Sequence, residues 1–150
     1  KSRGRRPLRV GDGALELVAL VGATLAAAHA LAGFAALFTL VCGAIAAMGA
    51  MIAATFFWLW AVRATPLALG MAVSWSGIAA VTGWGWLFEL LGRPGWAVGH
   101  PAVLALLALY VAGAVLHFSV IHRSFGRHGA GFLWPVAGAV ALSVAAYAAV

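Results

Sequence analysis

The chain has 150 residues, of which 65% are hydrophobic and only 8% charged, against roughly 25% charged in an ordinary soluble domain. Nine Lys/Arg and three Asp/Glu cannot cover a water-facing surface, which excludes a conventional soluble domain and makes lipid the solvent in which this composition is stable. The net charge of +6 would suggest nucleic acid in a soluble chain, but here the basic residues flank apolar stretches and form no nucleic-acid motif, so nucleic acid is not expected as a partner.

Residues 1–13 form a basic N-terminal segment, with five Lys/Arg between Lys1 and Arg9. The apolar run that follows extends to Val62, far beyond the short apolar core of a secretory signal. Between residues 14 and 62 the only charge is Glu16, an interfacial acid at a helix N-terminus. As one helix this stretch would be about 73 Å long, against a bilayer core of about 30 Å. It must therefore reverse once. Gly33 is the preferred point, because glycine accepts the left-handed conformation that ends a helix; Cys42-Gly43 is the alternative. The first two spans are then about 14–30 and 34–62.

Pro66 ends the second span through its effect on the residue before it. Residues 67–91 make the third span, and Gly92-Arg93-Pro94-Gly95 breaks it. Pro101 opens the fourth, 102–121, at a position where its missing N–H costs nothing. A basic turn from His122 to Gly131 leads to the fifth span, 132–150, with Pro135 in its first turn. Residues 14–150 thus form one transmembrane domain. Lys and Arg favour cytoplasmic loops. An all-α bundle of five transmembrane helices, with the N-terminus cytoplasmic and the C-terminus outside, places eight basic residues inside and only Arg93 outside. That asymmetry supports a multi-pass location in the cell's inner (plasma) membrane. Trp58, Trp60 and Trp134 then fall near the inner interface and Trp84, Trp86 and Trp96 near the outer one, the depths that indole rings prefer.

Small residues recur at spacings that let helices approach closely: Gly43 with Ala47, Gly49 with Ala53, and the ridge Ala46, Ala50, Ala54. Catalytic motifs are missing: there is no metalloprotease or phosphate-loop signature, no nucleophile elbow and no cysteine pair beside Cys42. Three acids do not suffice for self-contained hydrolysis or group transfer, and an enzyme is not expected. No metal site is expected either.

Two groups of residues carry candidate sites. His117 has Gly113 one turn before it, so a flat haem or chlorophyll-type pigment could rest over the glycine; packing of His117 against a neighbouring helix is the preferred reading, and no cofactor is preferred to a bound one. Ser74, Thr82 and Glu89 share one face of the third span and could form a polar path, although Glu89 is better read as an ion-pair partner of Arg93 one turn on. Arg123 and Arg127 in the basic turn could hold anionic lipid headgroups or the acidic face of a partner. The expectation that follows is a non-catalytic subunit of a larger membrane complex, energy-transducing by analogy of class, with the lipid bilayer and other membrane subunits as partners. A small oligomeric transporter or channel along the third span is the alternative.

Overall fold

The computed structural model describes residues 10–127 and 129–149; the basic segment Lys1 to Arg9 and His128 lie outside them. The described chain is all helical: α1 (Val10–Arg63), α2 (Pro66–Leu90), α3 (Ala102–Ser124) and α4 (Trp134–Ala148), with short 3₁₀ turns at Gly95–Ala97 and Ala130–Leu133. No strand occurs among the described residues. Four helices are long and apolar enough to cross a membrane, the composition of a membrane protein.

The helix ends fall where the backbone chemistry requires them. Pro66 and Pro135 each occupy the first turn of a helix, and Pro101 caps α3, positions at which the missing N–H has no partner to lose. His100 adds a side-chain cap, its Nδ1 accepting from the Ala102 N–H at 3.2 Å. α2 closes through the N–H groups of Gly92 and Arg93, which donate to the carbonyls of Glu89 and Phe88. Inside α1 the helical backbone is interrupted at Gly33, where φ is +78° and ψ 167°, a combination essentially confined to glycine. The alternative break at Cys42-Gly43 is continuous helix.

The chain divides into two compact units between Leu40 and Val41. In the first, the helix is decorated by large exposed apolar side chains such as Leu20, Leu31 and Phe34. His29 meets Phe34 edge to face at 6.3 Å, and Phe34 stacks on Phe38 at 5.6 Å.

In the second unit, α2 is sandwiched in two antiparallel seams built from small residues. Against α1, Gly43 faces Trp86, Ala46 faces Gly83 and Gly49 faces Ala79. Against α3, Gly70 faces His117, Ser74 faces Gly113 and Gly77 faces Tyr110. In both seams one number rises as the other falls by a similar step, which is the register of antiparallel helices. Contact is close enough that a Cβ added to Gly77 would lie 2.5 Å from the Tyr110 backbone nitrogen. Among the described residues the buried apolar side chains are all alanines, Ala46, Ala53, Ala68, Ala72 and Ala97, and Ala72 is fully enclosed. This is the packing mode of helices in lipid, where close backbone approach replaces the burial of large side chains.

At the far end of α2, Trp84, Trp96 and His100 form an aromatic cluster, with centroid separations of 5.5 to 6.3 Å. α4 touches α3 only lightly and has no buried residue.

Candidate functional site

The structure brings Gly113 and Ser74, members of two different candidate sites, onto each other. A Cβ at Gly113 would overlap the Ser74 backbone nitrogen and Oγ and come within 2.7 Å of its Cα. Gly113 is buried against α2 and offers no open floor. The space directly over Gly113 is therefore filled by the protein's own backbone, that of Ser74. His117 sits one turn on in the same seam: a Cβ on Gly70 would come within 2.9 Å of its backbone nitrogen. Its Nδ1 is buried without a hydrogen-bond partner, and its ring stands edge to face against Phe118 at 5.9 Å.

Three polar residues of α2, Ser76, Thr82 and Glu89, have local partners. Thr82 Oγ1 donates to the carbonyls of Ile78 and Ala79 at 2.7 and 3.3 Å, and Ser76 Oγ to that of Ala72 at 2.8 Å. Such back-bonding lets a hydroxyl enter an apolar helix without an unpaired donor. Glu89 accepts from Arg93 Nε through both carboxylate oxygens, at 3.0 and 3.2 Å. The Arg93 side chain is 67% exposed and that of Glu89 25%. Ser74 lies in the α2–α3 seam, Thr82 bonds its own helix, and Glu89 is held by Arg93 at the helix end.

The arginines of the basic turn are placed differently. Arg123 and Arg127 are exposed at the C-terminal end of α3. Together with His122, Gly129 and Phe132 they line a cavity of ≈ 300 Å³. The α3 terminus turns through Gly126, whose φ of +68° is left-handed, and the Arg127 N–H closes back onto the His122 carbonyl at 3.3 Å. His122, which its place beside Arg123 would put in water, instead folds inward. A Cβ on Gly131 would lie 3.0 Å from its Cε1, its ring is 6.2 Å from that of Phe132, and Nε2 is buried without a partner. Sequence spacing missed this inward turn because the residue that receives the ring, Gly131, belongs to the 3₁₀ turn before α4 and carries no signal except its small size.

Among the described residues, no group of three or more His, Cys, Asp and Glu is arranged to hold a metal. No protein-family model matches the chain, and no characterised protein or solved structure matches it significantly.

Proposed function

We propose that this chain is a non-catalytic, five-span subunit of a larger membrane complex in the inner membrane, where it acts through helix packing. The observation that carries the proposal is α4. Its residues are all unburied, yet it is built like a helix interface. Gly138, Ala141 and Ala145 follow one another at steps of three and four on one face. A Cβ on Gly138 would meet nothing within 4 Å. The glycines of the α2–α3 seam are spent on close contact, whereas this one is open. Small residues on a lipid-facing helix gain nothing from lipid and gain packing from another helix. The polar groups of Ser76, Thr82 and Glu89 support the same reading, since each bonds within α2 or at its end.

The five-span topology rests on length and charge. At 54 residues α1 is about 81 Å of helix, more than twice the hydrocarbon thickness, and the Gly33 break divides it into two runs of spanning length. Antiparallel packing of α2 against both neighbours suits successive crossings, and the eight-to-one distribution of Lys and Arg sets their direction.

The test is purification of the full chain from its native membrane in a mild detergent, followed by mass spectrometry of what accompanies it. Defined partner subunits are expected in fixed ratio. Gly138→Leu should abolish their recovery while the chain still inserts. Recovery of the chain alone, with unchanged behaviour of the variant, would replace the subunit reading with a self-contained membrane protein.

A further inference from the structure

Three cavities join end to end along the α3–α4 face. The basic one, with Arg123 and Arg127, shares His122, Arg127 and Phe132 with a neighbour of ≈ 490 Å³. That neighbour is otherwise aromatic and apolar, through Phe118, Ile121, Phe125 and Pro135. It shares Phe118 and Pro135 with a third cavity of ≈ 380 Å³, an apolar groove that runs between α3 and α4 past Ala114, Ala139 and Val140. The series therefore changes character in one direction, from two guanidinium groups to aromatic rings to an aliphatic trough. From Phe118 to Tyr110 the trough follows α3 for about 12 Å, which approaches the half-thickness of a bilayer core.

The basic mouth also sits at the depth where a headgroup would be. Trp134, 77% exposed, opens α4 two residues after Phe132, which lines the mouth, and indole rings favour the membrane–water interface. A cationic mouth over an apolar trough fits a molecule that is anionic at one end and aliphatic at the other. A free phosphate would use only the mouth, and an acidic protein face would have no use for the trough.

We infer that the α3–α4 elbow is a binding site for one anionic phospholipid, whose headgroup phosphate pairs with Arg123 and Arg127 and whose acyl chain lies in the groove past Phe118 and Ala139. The proposal needs only that α3 and α4 cross a bilayer. Arginine presents a planar fork of donors that matches phosphate oxygens. His122 backs the mouth from the α3 side, filling the space over Gly131. The bound lipid would cement α4, which the protein itself holds by few contacts, to the rest of the unit.

The experiment is native mass spectrometry of the full chain released from nanodiscs made of equal parts phosphatidylcholine and phosphatidylglycerol. One phosphatidylglycerol should remain bound. Each basic residue near an anionic surface is worth about 1 kcal/mol, so R123Q/R127Q should weaken retention about 30-fold. Arg63→Gln removes an exposed arginine remote from the cavities in sequence and lining none of the three, and should leave retention unchanged. Ala139→Phe plugs the trough with both charges intact and should also release the lipid. Millimolar inorganic phosphate should not displace it. Equal retention by R123Q/R127Q would overturn the site and leave the arginines to an acidic partner. Displacement by phosphate, with Ala139→Phe indistinguishable from the native chain, would overturn the phospholipid in favour of a free anion. A chain that stays in solution and enters no nanodisc would overturn the membrane reading as well.

Discussion

Glycine plays opposite parts at different positions of this chain, and substitution separates them. Gly113 lies under the Ser74 backbone, so Gly113→Leu cannot be absorbed by a flexible neighbour and must part α2 from α3. Overpacking of a tight contact costs about 1–3 kcal/mol and occasionally more, and a marked fall in thermal stability in detergent is expected. Gly85 is a helical residue whose Cβ would meet nothing within 4 Å, so Gly85→Ala should be neutral or stabilising by up to about 1 kcal/mol. Equal effects of the two variants would mean that the α2–α3 seam is not the tight contact described. Glu89→Gln removes one charge of an i,i+4 pair whose Arg93 side is exposed and whose Glu89 side is partly buried, worth roughly 0–1 kcal/mol. It should leave both stability and complex recovery intact; loss of a transport activity in a folded variant would instead favour the polar path along α2. His117→Leu should leave the absorption spectrum of the purified complex unchanged, because the seam has no room for a macrocycle over Gly113. The candidate pair His117 and Gly113 was legible as a close-contact feature but not as to its occupant. An i,i+4 spacing shows that a small residue and a histidine share a face; it does not show which distant segment covers that face, and Ser74 is far away in the chain.

At the scale of elements, the helix ends were legible because proline and clustered glycine act locally, through the very backbone groups that define an end. Pro66, Pro101 and Pro135 and the 92–95 break all lie within a residue or two of an observed boundary. The 3₁₀ turn Ala130–Leu133 was not legible, since its Phe132 and Leu133 continue the apolar pattern of α4. Gly43 resembled a break but is helical, its missing side chain making room for Trp86 instead of a turn. The five-span order is checked by reporter fusions after Arg63 and after Ala148. They should report opposite sides of the membrane, cytoplasmic for the first and external for the second. The same side for both would sink the model of two crossings within α1.

Over the whole molecule, no large side chain is completely enclosed among the described residues, and the buried apolar set consists of alanines. Cohesion then comes from seams of close backbone contact, which α1, α2 and α3 share and α4 lacks. Once trypsin in detergent has cut at exposed Arg123 or Arg127, the α4 fragment should therefore separate from the remainder on gel filtration. An α4 fragment that stays bound through delipidation and cleavage would show a stronger α3–α4 interface than this packing provides. The all-helical, apolar class was legible because composition and hydropathy are whole-chain properties; the distribution of cohesion was not, because it depends on which alanines and glycines meet.

Under the proposed five-span topology, the interruption at Gly33 also bears on how deep the chain sits. Where the helical backbone breaks, the N–H groups just after it and the carbonyls just before it lose their partners in the helix. In hydrocarbon each such group would cost several kcal/mol with nothing to receive it, whereas headgroups and water receive it readily. In the proposed five-span topology the bend is thus a ruler for the bilayer's edge. Thirty helical residues, the number from 34 to 63, amount to about 45 Å at the helical rise, about the full thickness of a bilayer with its polar regions. Amide exchange measured in nanodiscs should accordingly be fast around Gly33 and slow at Ala46 and Ala53. Slow exchange at Gly33 would require another polypeptide to shield that bend.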